Sequence, residues 1–161
     1  MVRQDGLWPF LLVRSFLGDT GQRPNLTRML FQSPDIMLLE GNFQLPDAGQ
    51  PVSQLKVGTL YTAFVHVWNL GRLPAIGANL SLHQQQQTGP LQPLSARYFN
   101  LPDARDPGCH QTIRLPALFR PMTAGSVRLL ARVDSMMDLC GPEMNDHANR
   151  HVAGRTFVVH A

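Results

Sequence analysis

Residues 59–68, TLYTAFVHVW, constrain the fold of this chain more than any other stretch. Ala63, Val65 and Val67 alternate with Phe64, His66 and Trp68. That period of two marks a β-strand, whose successive side chains point to opposite faces. A helix needs apolar residues three and four apart, and no long stretch of this chain keeps that spacing. Asn69-Leu70-Gly71 then ends the strand as a turn. The alternation returns at residues 75–83, with Ala78, Leu80 and Leu82 on one side and Asn79, Ser81 and His83 on the other. It returns again at 127–134, with Val127, Leu129, Ala131 and Val133 set against Arg128 and Arg132. Shorter strands are predicted at 36–40, 94–99, 112–115 and 155–160.

Thirteen Gly and thirteen Pro are spread along the 161 residues and cut them into short pieces, which suits strands and turns. Residues 18–34 and 41–56 read as loops, as does the polar run Gln84 to Gln87. Seven to eight strands without helical spacing predict an all-β sandwich or barrel. The length suits one core, and 43% hydrophobic residues are enough to form it. Residues 1–33 are expected to be an N-terminal extension that packs on the sandwich or on a partner, with the β-sandwich itself at 34–161.

Three pieces in order resemble the bacterial cell-adhesion-related (CARDB) domain, an immunoglobulin-like module. Pro34-Asp35-Ile36 is similar to that family's opening, and Val65-His66-Val67-Trp68-Asn69-Leu70-Gly71 to its strand and turn. In Gly125 to Asn149, a strand reaching Val133-Asp134 precedes an acidic loop and an Asn. The stretch VRSFLGDTGQRP also resembles a lead-in to such domains. The last loop, Glu143-Met144-Asn145-Asp146-His147-Ala148-Asn149, departs from the family's acidic residue with closely following paired Asn. The resemblance implies an immunoglobulin-like sandwich used for adhesion, interaction or spacing, although a fold alone does not settle function.

No pattern of catalysis is present. There is no G-x-S-x-G, H-E-x-x-H or C-x-x-C, and the six histidines are scattered. No enzyme, cofactor or zinc is expected. His147 and His151 lie near Cys140, but on a strand an offset of four spans roughly 13 Å. Asp134, Asp138, Glu143 and Asp146 form the one acidic stretch that suits calcium, whose bland alternative is side chains bonding their own turns. Cys109 and Cys140 are a disulfide candidate, since an immunoglobulin-like topology brings them to one end of the sandwich. With no export signal, the reducing cytoplasm favours two thiols instead, so both readings stay open.

The partner is expected to be protein. Thirteen of the fourteen basic residues are Arg and all are scattered, whereas a nucleic-acid surface clusters its cations. No run approaches the roughly 20 apolar residues of a membrane span. No signal peptide is read, which predicts either a cytoplasmic protein or export by a signal-independent route. Leu60, Phe64 and Trp68 fall on the face of the central strand opposite Val65 and Val67, too apolar to leave bare. They are the interface candidates unless residues 8–16 cover them. The alternative reading is a carbohydrate-binding module using Trp68, Tyr98 or Phe99.

Overall fold

Tyr61–Asn69 forms β4, the strand around which the rest is built, in a computed structural model that describes residues 8–24 and 31–161. The other strands described are β1 (Leu11–Leu12), β2 (Ile36–Glu40), β3 (Gln54–Lys56), β5 (Ala75–Gln86), β6 (Gln92–Leu101), β7 (His110–Arg114), β8 (Gly125–Asp134) and β9 (Val152–His160). β4 is the centre of a four-stranded antiparallel sheet. One of its edges takes β2 along Tyr61–Val65 and β1 at Trp68–Asn69, and the other takes β7 along Phe64–Trp68. The second sheet runs β3-β9-β8-β5-β6, antiparallel except where β3 lies parallel to β9.

The two sheets face each other across one core. Tyr61, Ala63, Val65 and Val67 of β4 meet Leu80 and Leu82 of β5, Val127, Leu129, Ala131 and Val133 of β8, and Phe157 of β9. These are the positions that the period-two pattern points inward, and the result is a β-sandwich.

Two loop expectations are corrected. Gln84–Gln86 continue β5, with Gln84 opposite both Gln92 and Leu129. The ladder is made by the backbone, so polar side chains do not end a strand whose neighbours remain in register. Residues 54–56, expected inside a loop, form β3. Three residues are too few for alternation to be read.

The described residues before 34 are part of the sandwich and not an appendage. Leu11 and Val13 lie in the core cluster, and Leu12 is also buried. Residues 31–33 run beside β9, where Ser33 N donates to the Gly154 carbonyl at 2.9 Å and Thr156 N to that of Phe31 at 2.9 Å. A boundary at residue 34 therefore cuts through elements that share one core. β1 is short, and side chains from distant elements complete its bonding. Phe10 N donates to Asn69 Oδ1 at 2.9 Å, Leu11 N to Asp138 Oδ2 at 2.7 Å, and Arg14 N to Asp35 Oδ2 at 2.8 Å. Gly71 lets this strand approach the β4–β5 turn, since a Cβ there would run into the Trp8 carbonyl oxygen.

Candidate functional site

The outer face of β4 holds a cluster of polar and aromatic side chains. Successive outward positions bring His66 and Trp68 beside His110 and Thr112 of β7, which the register sets directly opposite them. His66 Nδ1 bonds Thr112 Oγ1 at 2.7 Å and its Nε2 bonds His110 Nδ1 at 2.8 Å. His110 stacks on Trp68 with centroids 4.3 Å apart and planes 17° off parallel, and the Arg14 guanidinium lies 4.6 Å from the indole centre. Trp68 Nε1 donates to Asp35 Oδ2 at 3.1 Å, and Arg14 makes a forked ion pair with the same buried carboxylate. Burial pushes the His66 imidazole below its ordinary value. Asp35 opposes this, while His110 and Arg14 add to it. The shift favours the neutral imidazole, which sits in a hydrogen-bonded chain running from the Thr112 hydroxyl through His66 to His110.

This geometry revises the interface candidates. Phe64 is 1% exposed and unavailable to a partner. The chain after β2 is tied to two neighbours of Phe64: Phe43 N donates to Thr62 Oγ1 at 3.0 Å, and Arg114, opposite Phe64, donates to the Phe43 carbonyl at 2.7 Å. Leu60 is half-buried just before β4, where its carbonyl accepts from Gly41 N. Trp68 is half-buried with two groups already packed on its ring. Phe64 is thus buried within the chain and Leu60 and Trp68 are half-buried; from residues 8–16, Arg14 lies on the Trp68 ring and Leu11–Leu12 extend the sheet. The aromatics of the carbohydrate reading do not converge either. Tyr98 and Phe99 are neighbours on β6 and so point to opposite faces, and Trp68 lies on the other sheet.

The acidic loop after β8 is committed to structure. Asp134 Oδ1 accepts from Cys140 N at 2.9 Å. Asp146 is buried and accepts from Phe31 N at 3.0 Å, and burial raises its carboxyl. Asp138 accepts from Leu11 N and from both Arg150 Nη atoms, at 2.6 and 2.8 Å, with His151 Nε2 at 3.2 Å. Burial alone would raise the Asp138 carboxyl, but the bonds and charges of Arg150 and His151 outweigh it and hold the group far below its usual range. Glu143 contributes its carbonyl, which accepts from Asn149 Nδ2 at 3.2 Å. The four calcium candidates thus serve separate partners. Among the described residues no three His, Cys, Asp or Glu groups gather as metal ligands do. His147 is exposed while His151 points inward. Cys109 and Cys140 are both free thiols: Cys140 Sγ donates to the Gly141 carbonyl and accepts from Asn149 Nδ2 at 3.2 Å.

One end of the sandwich stands out as surface. Asn79 is opposite both Tyr98 and Asp134, so the chain beyond these three residues gathers at that end. Ile76 there is 68% exposed, Met136 88% and Leu139 73%, with Leu70, Leu73 and Met137 also uncovered. They stand in turns or at the end of a strand, and so carry no periodic signal in the sequence.

No model of a protein family matches the chain, and no curated protein matches it in sequence. Solved structures do match. The CARDB domain of the PF1109 protein from Pyrococcus furiosus, crystallised in complex with di-metal ions, is 14% identical over 94% of each chain, with a TM-score of 0.53. The solution structure of that domain is 19% identical, covers 80% of this chain and 96% of its own, and has a TM-score of 0.48. Red sea bream transglutaminase is 20% identical over 80% of this chain and 15% of its own, with a TM-score of 0.45. This chain has the immunoglobulin-like β-sandwich fold of a CARDB-type domain.

Proposed function

We propose that this chain is a non-catalytic structural or adhesion-type module that works through contact with another protein, and that the contact is made by the apolar end of the sandwich. The observation that carries the reading is the set Ile76, at the start of β5, and Met136 and Leu139, in the loop after β8, large side chains largely open to water at one end. Each would contribute roughly 1.5–3 kcal/mol if a partner buried it. Exposed apolar groups gathered in one place are a common mark of an interaction surface, and methionines adapt readily to a partner's shape. The opposite end of β5 is the hairpin 84–92, whose side chains are mostly polar, with Met122 as an exposed apolar residue before β8. The CARDB-type fold agrees with this reading, because that family's resemblance implies adhesion or spacing. The polar cluster around Trp68 ties β4 to β7 and to Asp35, which fits a bracing role in the scaffold.

The test is site-specific photocrosslinking in the native host, with a benzophenone side chain at Met136, Leu139 or, as control, Gln85. The expected result is a discrete protein adduct from the first two positions and none from Gln85. Equal labelling at all three positions, or no protein adduct at any, refutes the proposal.

A further inference from the structure

β6 is ten residues long and pairs only with β5. Among the described residues its other edge has no backbone partner. The remaining sheet edges differ. On β1, Leu11 N is taken by Asp138 and the Leu11 carbonyl by Arg150. On β2, the Leu38 carbonyl accepts from Val52 N and that of Ile36 from Arg155. β9 is flanked by β3 and by residues 31–33, and β7 has five residues. A long open edge is a template for another strand, and proteins that avoid such pairing place several charges on it. β6 carries one, Arg97, and its proline and bulge, at Pro93 and Leu94, leave 95–101 as the regular stretch open to pairing.

We infer that the free edge of β6 pairs antiparallel with β6 of a second copy of this chain, centred on Tyr98. The side chains select both the occupant and the register. With Tyr98 opposite its own copy, Arg97 of each chain stands opposite Phe99 of the other, and Ala96 opposite Asn100. Tyr98 is 76% exposed on the outer face, so two phenol rings meet across the axis. Arg97 and Phe99 lie on the other face. There a guanidinium faces an aromatic ring twice, a favourable cation–π arrangement. On that face Arg97 Nη1 donates to the Arg114 carbonyl of β7 at 3.0 Å and Ala117 N to Ser95 Oγ at 3.1 Å, contacts made by the β6 side chains that leave the backbone of its edge open. Centring the pair on Arg97 would oppose two like charges. Slipping by one residue would turn the core side of one copy toward the solvent side of the other. The Tyr98 register avoids both and joins two five-stranded sheets into one of ten strands. This inference does not depend on the apolar end proposed above, because β6 presents its edge along the flank of the sandwich.

Two measurements test it on the full chain. Sedimentation equilibrium of the wild type should give twice the chain mass at high concentration. Tyr98→Lys, which sets two ammonium groups face to face, should return the monomer, with the thermal midpoint that the wild type shows at concentrations low enough to dissociate it. Under mild oxidation Tyr98→Cys should form a covalent dimer well above the baseline set by Cys109 and Cys140, while Ala96→Cys should not. A wild type that stays monomeric, a dimer that survives Tyr98→Lys, or crosslinking that favours position 96 over 98 each overturns the inference.

Discussion

Deleting residues 1–17 should remove most of the stability of the sandwich. Leu11, Leu12 and Val13 are buried to within 1% of complete and form an edge of the core, so losing them uncovers the far side of β4 and β8. Each aliphatic side chain buried contributes roughly 1.5–3 kcal/mol, and the three together about 5–9 kcal/mol. Part of that surface is already covered in a compact unfolded chain, so about 4–6 kcal/mol is the working figure. Against a total of roughly 5–15 kcal/mol for an ordinary domain, such a loss approaches unfolding. The deletion also frees Asp138 and Asn69, whose oxygens accept from Leu11 N and Phe10 N. Urea unfolding followed by Trp68 fluorescence reads the effect, since Trp68 is the tryptophan that remains. A loss of 4 kcal/mol should lower the midpoint by more than about 1 M. The smaller change Leu11→Ala should cost about 2–5 kcal/mol with the chain still folded. A truncated chain with an unchanged midpoint would refute the placement of this segment in the core.

Three other outcomes are expected. Asp138→Asn should cost about 2–3 kcal/mol, because it leaves Arg150 half-buried and unpaired. Since the folded state depresses the Asp138 carboxyl below its ordinary value of 3.8, its contribution is complete above that pH and is lost as pH falls below it. Acid unfolding of the wild type, compared with a flatter curve for the Asn variant, checks both statements. The His66 imidazole, also depressed, should titrate below 6.5 by NMR. Between its folded value and 6.5 the unfolded chain holds the extra proton, so stability from this group rises with pH and is lost as pH falls through that window. Gly71→Ala should displace the strand at Trp8 and Phe10, lowering the thermal midpoint by several degrees, whereas Gly58→Ala, with open space around its Cβ and strain only from a positive φ, should cost less.

The sequence by itself determined the inward face of the sandwich. Val65 and Val67, Leu80, and Leu129 with Val133 were legible because the alternation of a strand is local, and each residue's side is set by its neighbours two away. The motifs around Asp35 and Val65 to Gly71 carried the immunoglobulin-like resemblance for the same reason, and the free thiols and scattered acids needed the structure. Only the tertiary structure decided what meets the outer face. Phe64 looks like an exposed apolar residue in any local reading, yet it is buried, and the segment after β2 is tied to its neighbours Thr62 and Arg114. The acidic loop reads as a cation site, but Asp138 is spent on the amide of Leu11, 127 residues earlier. The apolar end and the open edge of β6 were equally hidden. Whether Ile76, Met136 or Tyr98 is covered depends on which strands end up side by side. That is a property of topology, set by contacts between residues far apart in sequence, and no local pattern encodes it.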